Sequence, residues 1–293
     1  MGSFSRERDV RYADGTAFRK ALADRLRRQH PDQDVGRLQK RVAMERFLAR
    51  VVAVLPEQAR LKGGYALELR LDQARATQDV DLALRDVPAG DALEVLRDAA
   101  EHDLGDHLTY RIEVTSRGAP QGAPYGGERL TVVPELGGQR YMPFPLDLGL
   151  GDADPEPPDV LRGGIDLSFA GLAPLDVPAV SVAVHVAEKL HALSLPRSDG
   201  RENSRVKDLV DVVLLRLAAF DDVEAVRRAV AATFERRGTH ELPARIAVPL
   251  RSWAREYRKH AQDLHLDAGV DTVEGAAGIL DDLVDAIRRD HAR

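Results

Sequence analysis

The sequence contains no cysteine among its 293 residues. This absence excludes disulfide bonds and cysteine-bearing zinc sites, so any bound metal must use oxygen or histidine ligands. No apolar run approaches the roughly 18 residues that a transmembrane helix requires. The first ten residues, MGSFSRERDV, also lack the apolar core of a signal peptide. We therefore expect a cytoplasmic protein that does not enter a membrane.

Lysine is scarce, because only six of the 42 basic residues are lysines and the others are arginines. A compact ammonium binds differently from a planar guanidinium, so each lysine is a candidate for a specific role. The net charge of −6 argues against indiscriminate nucleic-acid binding. Residues 1–41 nevertheless hold eleven Lys and Arg against six Asp and Glu, and such a basic face can bind a polyanion locally.

The length favours two domains, since a single core rarely serves so long a chain. Helical periodicity occupies residues 16–28, 34–55 and most of the chain after residue 181, whereas alternation predicts strands at 107–115, 128–136 and 141–150. Pro143 and Pro145 indicate that the last of these is an edge or bulged strand, and residues 165–171 suggest a further strand. We expect an α+β fold, with a mixed-sheet domain over residues 1–157 and a mainly helical domain over 158–293.

The stretch LKGGYALELRLDQARATQDVDLAL, residues 61–84, combines two features of a nucleotide site. Asp79 and Asp81 alternate with apolar residues, so on a strand they share one face, about 7 Å apart. Paired carboxylates of this kind repel each other unless a divalent cation or a proton intervenes. Gly63 and Gly64 open a helix, where backbone amides can approach a phosphate. The alternative for the two aspartates is a charged strand edge that discourages aggregation.

These motifs, in this order, resemble the polymerase-beta-like nucleotidyltransferases, and among them the AbiEii/AbiGii abortive-infection toxins of type IV toxin–antitoxin systems. The resemblance spans roughly residues 35–245 and departs from many members at Tyr65, where a serine is common. It is carried by Gly63-Gly64, Arg75-x-Thr77-x-Asp79-x-Asp81, Lys189-Leu190-His191-Ala192, Arg205-x-Lys207-Asp208-Leu209-x-Asp211, and the set Phe234, Arg237, His240 and Pro243.

The resemblance implies a polymerase-beta-like domain in the N-terminal half and a site to which both halves contribute. Asp79, Asp81 and Asp147 would hold Mg²⁺ or Mn²⁺, with Asp152 and Asp154 as competitors for the third position. Lys189 would contact the triphosphate of an NTP substrate, and Asp211 would orient that lysine. Further nucleotide contacts would come from Gly63, Gly64, Arg205 and Asp208.

The implied acceptor is the 3′ end of tRNA, and the implied partner is a separately encoded antitoxin; we expect the toxin to be a monomer. Arg251, Arg255, Arg258 and Lys259, with Trp253 and Tyr257 between them, suit an RNA backbone and stacked bases. A solvated helix face with two packing aromatics is the more common explanation of such a pattern. Two other functions stay open, namely transfer to a small molecule such as an antibiotic, and nucleotide or partner binding without catalysis.

Overall fold

The computed structural model describes the protein over residues 12–71, 77–116, 127–150, 157–196, 203–219 and 222–289. Within these ranges the helices are α1 (Gly15–Gln29), α2 (Val35–Val54), α3 (Gly63–Arg70), α4 (Ala92–Glu101), α5 (Val182–Ser194), α6 (Val206–Ala218), α7 (Val223–Arg237), α8 (Leu250–Asp263) and α9 (Val273–Arg288). The strands are β1 (Ala59–Lys62), β2 (Val80–Leu84), β3 (Leu108–Ser116), β4 (Gly127–Leu136), β5 (Gln139–Arg140), β6 (Phe144–Leu150), β7 (Asp159–Arg162) and β8 (Asp176–Ala179). None of the described helices combines the length and apolarity needed to cross a bilayer.

The chain divides into two compact units that are not continuous in sequence. The first, called the sheet unit, takes in the described residues of Met1–Leu61, Gln78–Asp152 and Val160–Pro178. The second, called the helical unit, takes in those of Lys62–Thr77, Ala153–Asp159 and Ala179–Arg293. The expected domain boundary at residue 157 stays a prediction.

The sheet has the strand order β3-β4-β6-β2-β1-β8-β7, and β5 pairs with β4. It is mixed, because β2 and β6 run parallel while β4 is antiparallel to both β3 and β6. This arrangement confirms the predicted α+β class. Helix α2 packs against α4, and its predicted apolar stripe, formed by Met44, Phe47, Leu48 and Val51, is fully buried.

The helical unit consists of α5 to α9 together with α3. Side chains capping the first turns begin three of these helices: Ser181 accepts from the amide of Val184, Asp222 from Ala225 and Thr272 from Gly275. The apolar faces of α5 to α9 form one core, and Leu67 of α3, with no exposed surface, belongs to it. Helix α3 thus precedes the strands bearing the aspartates in sequence but packs with the last helices of the chain.

Two expectations from the sequence are wrong. Residues 165–171 do not form a strand, because Ser168–Ala170 make a 3₁₀ turn that ends at Gly171, with φ of 70°. Strand β6 is not at an edge, since it lies between β4 and β2. Its pairing with β2 begins at Leu146, so Pro145 lies outside the parallel ladder and its missing amide proton is tolerated there.

Candidate active site

Asp81 and Asp147 lie side by side on one face of the sheet. Strands β2 and β6 are parallel with Asp81 directly opposite Asp147, so the two side chains project from the same face. Val80 and Leu82, the neighbours of Asp81, are fully buried on the other face. Asp79 immediately precedes β2, and its charge, like that of Asp81, contributes to the raised pKa of Arg129, so it lies near the same group of carboxylates. The structure therefore brings together the carboxylates that the sequence singled out.

Arg129, which the sequence analysis missed, binds the acid at the centre of this face. It lies opposite Asp147 in the antiparallel pairing of β4 with β6. Its guanidinium makes a bidentate ion pair, with Nε 2.8 Å from Oδ1 and Nη2 2.7 Å from Oδ2 of Asp147. Hydrogen bonding to Asp147 and the charge of that residue raise the pKa of Arg129, with smaller contributions from Asp79 and Asp81. One arginine is thus drawn to all three carboxylates.

The acid face suits a hard divalent cation in its donor chemistry. Carboxylate oxygens are the ligands that Mg²⁺ and Mn²⁺ prefer, and the position of Arg129 shows that the face attracts positive charge. In the described part of the chain, however, no three Asp, Glu or His side chains are spaced as metal ligands. Arg129 engages both oxygens of Asp147. The competing acids Asp152 and Asp154, and Arg75 of the motif, lie outside the described residues.

In the helical unit, Gly63 and Gly64 begin α3. Gly63 has φ of 64°, a left-handed conformation that glycine adopts without strain. The side chain of Lys62, the residue before α3, does not cap the first turn of that helix. In α5, α7 and α9, by contrast, the preceding side chain caps the first turn. Tyr65 occupies the position where a serine is common in the resembling proteins. Its side chain is fully buried and packs in the interior beneath α3.

Lys189 of α5 is held between two aspartates of α6. Its Nζ lies 2.8 Å from Asp208 and 2.8 Å from Asp211, whose side chain has no exposed surface. Burial acts to lower the pKa of Lys189, but the charges and hydrogen bonds of the two aspartates outweigh it and raise the pKa. Arg205 lies 3.4 Å from the second oxygen of Asp208. The structure therefore joins all four predicted charged residues of this unit in one cluster.

A second cationic cluster surrounds Glu188, the residue before Lys189. Lys62 lies 3.8 Å from Glu188, and Arg237 of α7 lies 3.5 Å from the same oxygen. The three side chains are between 9% and 14% exposed. The sequence offered partial signals, because Lys62 is one of the rare lysines and Arg237 falls in a resemblance motif. Nothing in the spacing pointed to Glu188 as their common partner.

Two histidines that the sequence analysis did not assign form a hydrogen-bonded chain beside this cluster. Ser194 donates its proton to the carbonyl of Leu190, so its oxygen accepts from Nε2 of His240, at 2.8 Å. Nδ1 of His240 then accepts from Thr239 at 2.9 Å, and Thr239 accepts from Nε2 of His191 at 2.8 Å. Burial, then the charges of Arg237 and His240, lower the pKa of His191 to about 4.

The aromatic residues of α8 do not form a stacking platform for bases. Trp253 is 3% exposed and Tyr257 has no exposed surface, and both belong to the core of the helical unit. Each has its polar atom satisfied internally, since Trp253 donates to the carbonyl of Asn203 at 2.6 Å and Tyr257 to that of Val270 at 2.9 Å. Base stacking on α8, the less favoured interpretation of the sequence, is therefore wrong, and the favoured interpretation of packing aromatics holds for both rings.

Comparison with solved structures identifies proteins to which this chain is similar. Among the solved structures, MenT4, a nucleotidyltransferase toxin from Mycobacterium tuberculosis, has a similar fold, with a TM-score of 0.53 over 91% of this chain and 99% of that one, at 18% identity. JHP933 from Helicobacter pylori matches with a TM-score of 0.45 over 85% of this chain and 92% of that one, at 16% identity. By sequence, no curated protein matches significantly.

A family model gives the decisive match. The model described as nucleotidyl transferase AbiEii toxin, type IV TA system, matches residues 46–276. This range includes Gly63, Asp81, Asp147, Lys189 and Asp211. The chain belongs to the AbiEii family of nucleotidyltransferase toxins of type IV toxin–antitoxin systems.

Proposed function

We propose that this toxin transfers a nucleotide from an NTP to the 3′ end of tRNA and thereby blocks aminoacylation and translation. The observation that supports the proposal most directly is the pairing of Asp81 with Asp147 across parallel strands, with Asp79 nearby. This face concentrates negative charge in one place, as nucleotidyl transfer requires for holding divalent cations. The reaction joins the 3′ oxygen of the RNA to the α-phosphorus and releases pyrophosphate and a proton.

The acid face is proposed to hold Mg²⁺ or Mn²⁺ through Asp79, Asp81 and Asp147. When bound, the ion would supply Lewis acidity and neutralise phosphate charge. Because phosphoryl transfer depends mainly on positioning and charge compensation, the protein side chains need only hold the substrates in place.

In the helical unit, Lys189 is proposed to contact the triphosphate. Its raised pKa keeps it charged at neutral pH, so it acts as a fixed positive charge and not as a base. Asp208 and Asp211 hold the ammonium from one side, which leaves its remaining binding capacity for a phosphate oxygen. The backbone at Gly63 and Gly64 and the guanidinium of Arg205 are proposed to complete the phosphate contacts.

The test is incubation with total tRNA, Mg²⁺ and each α-labelled NTP in turn. The parent should label tRNA, and Asp81→Asn should lose at least about 100-fold in rate because it removes a fixed charge from the centre of the site. Asp86→Asn is the matched control, since Asp86 follows the same strand but is 78% exposed and pairs only with Arg85 among the described residues. An Asp81→Asn protein that labels tRNA at the parent rate contradicts the mechanism, whereas labelling of an aminoglycoside but not RNA selects a small-molecule acceptor.

Membership of the family also implies a separate antitoxin, which we propose acts in the cytoplasm on a monomeric toxin. Coexpression of the neighbouring gene product should relieve growth arrest and copurify with this chain. Size-exclusion chromatography of the toxin alone measures the expected monomer mass.

A further inference from the structure

Four basic side chains of α8 occupy one face of the helix. They are Arg251, Arg255, Arg258 and Lys259, and all four are exposed. Their spacing of i, i+4, i+7 and i+8 places them within an arc of about 100° and over roughly 12 Å of helix. None of them makes an ion pair or a side-chain hydrogen bond with any residue that the structure describes. The face is therefore an array of solvated cations.

Glu256 and Asp263 lie on the same helix, but among the described residues no carboxylate forms an ion pair with this array. Glu256 lies on the flank of α8 and faces His260, 3.9 Å away. Other arginines of the helical unit behave differently: Arg227 pairs with Glu224, and Arg245 pairs with Asp281. The chain as a whole has a net charge of −6, so a helix face with four cations that are unpaired among the described residues differs in sign from the protein's overall charge.

The opposite face of α8 fixes the array in place. Trp253 and Tyr257 are buried in the core of the helical unit and hydrogen-bonded to backbone carbonyls. Because this aromatic face is already covered, Leu250, at 40% exposed, is the one exposed large apolar side chain of α8, which is too little to insert the helix into a lipid bilayer. The exposed cations thus form a rigid polar surface suited to a hydrated polyanion.

The buried face of α8 is connected through Asn203 to the proposed phosphate-binding cluster. Trp253 donates to the carbonyl of Asn203, and the side-chain oxygen of Asn203 accepts from the amide of Arg205, at 3.0 Å. Asn203 also donates to the carbonyl of Leu193 in α5. A single residue therefore links α8, the start of α6 and the end of α5 within one unit.

We infer that the exposed face of α8 binds the phosphodiester backbone of the RNA substrate away from its 3′ end, an inference that rests on the proposed function. Arginine and lysine side chains suit a regularly spaced row of phosphates, which they recognise without reading sequence. The buried aromatics make this contact electrostatic, with no base stacking. The α8 face would hold the body of the RNA and leave its 3′ end free for the reaction.

The experiment compares two triple variants with the same change in charge. The first variant, called the α8 variant, removes three cations from α8 through Arg255→Gln, Arg258→Gln and Lys259→Gln. The control variant removes three exposed cations from the sheet unit, outside the basic stretch of residues 1–41, through Arg97→Gln, Arg140→Gln and Arg162→Gln. Binding of fluorescent tRNA is measured by anisotropy between 50 and 200 mM KCl without NTP, and circular dichroism verifies that both variants are folded.

The α8 variant should reduce the slope of log K against log salt by about two to three and weaken tRNA binding on the order of tenfold at 100 mM salt. Its KM for tRNA should rise while kcat and NTP affinity stay at parental values. A slope equal to that of the control overturns the inference, as does a variant that loses antitoxin binding but keeps tRNA binding. If the α8 variant lowers the salt slope of tRNA binding but the parent adds no nucleotide to tRNA, α8 is still an RNA-binding surface. The proposed function is then refuted instead.

Discussion

Lys189 carries a structural role in the helical unit and a proposed role in triphosphate binding. It neutralises two buried carboxylates, and removal of one partner from a buried ion pair leaves an uncompensated charge. We expect Lys189→Met to lower the free energy of unfolding by roughly 3 kcal/mol and to abolish transfer. Urea denaturation and the labelling assay measure the two effects. Lys207→Met, at an exposed position on α6, should change the stability by less than about 0.5 kcal/mol.

A double variant separates the two roles of Lys189. Replacing Lys189 by Met together with Asp211 by Leu removes the buried charge along with its partner, so part of the lost stability should return. Transfer activity should not return, since the fixed positive charge is still missing. Full activity in the stabilised double variant would assign Lys189 to folding alone.

Arg129 and a divalent cation should compete for Asp147, because each would use the same carboxylate oxygens. We expect Arg129→Gln to bind Mn²⁺ several-fold more tightly, as measured by the loss of free-ion signal in electron paramagnetic resonance. Arg111→Gln is the control, since Arg111 on β3 is similarly exposed, at 61% against 56%, and pairs with glutamates instead. Equal Mn²⁺ affinity in the parent and both variants would contradict this competition.

At the scale of residues, the sequence predicted those candidate site residues that lie within one local motif. Asp79 and Asp81 are recognisable because alternation along one strand is a local property. Arg129 could not be predicted in the same way, because its meeting with Asp147 depends on the antiparallel register of β4 and β6. Glu188 was missed for a similar reason, since its partners Lys62 and Arg237 come from distant segments.

At the scale of elements, a hydrogen-bonded chain that includes His191 and His240 connects α5 with the segment that follows α7. The folded protein binds a proton at His191 only near pH 4, whereas the unfolded chain binds it near pH 6.5. Between these values the unfolded state carries more protons, so the free energy of unfolding decreases as the pH falls from 6.5 toward 4. Burial lowers the pKa of His240 as well, which adds to the same trend.

We expect His191→Gln to reduce this acid sensitivity, because glutamine keeps a donor for Thr239 and does not titrate. Urea midpoints at pH 7 and pH 5 measure the effect. His102→Gln, at an exposed position in the sheet unit, should leave the pH dependence as in the parent. If His191→Gln loses as much stability on acidification as the parent, another group is responsible.

The elements themselves were predictable where they are long and amphipathic, as for α2 and α6. Strands β1, β7 and β8 have four residues each, too few for alternation to be distinctive. The proline rule failed for β6 because pairing with β2 begins one residue after Pro145. The sequence shows that a strand contains proline. The pairing with neighbouring strands determines whether the missing amide proton costs a hydrogen bond.

At the scale of the whole molecule, α3 belongs with helices from the other end of the chain. Leu67→Ala should therefore destabilise the helical unit, by about 3 kcal/mol for a fully buried leucine. The chain has one tryptophan, Trp253, which lies in that core and reports on it by fluorescence. Leu217→Ala, at a site that is 56% exposed, should shift the fluorescence transition little. A fluorescence transition unaffected by Leu67→Ala would place α3 outside the helical core.

The early position of α3 has a consequence for synthesis on the ribosome. The segment emerges with the acid-bearing strands, yet the helices that cover Leu67 are translated last. A nascent chain interrupted before α5 carries the aspartates but neither Lys189 nor a closed helical core. We therefore expect a chain terminated before α5 to lack transfer activity and to be open to proteolysis.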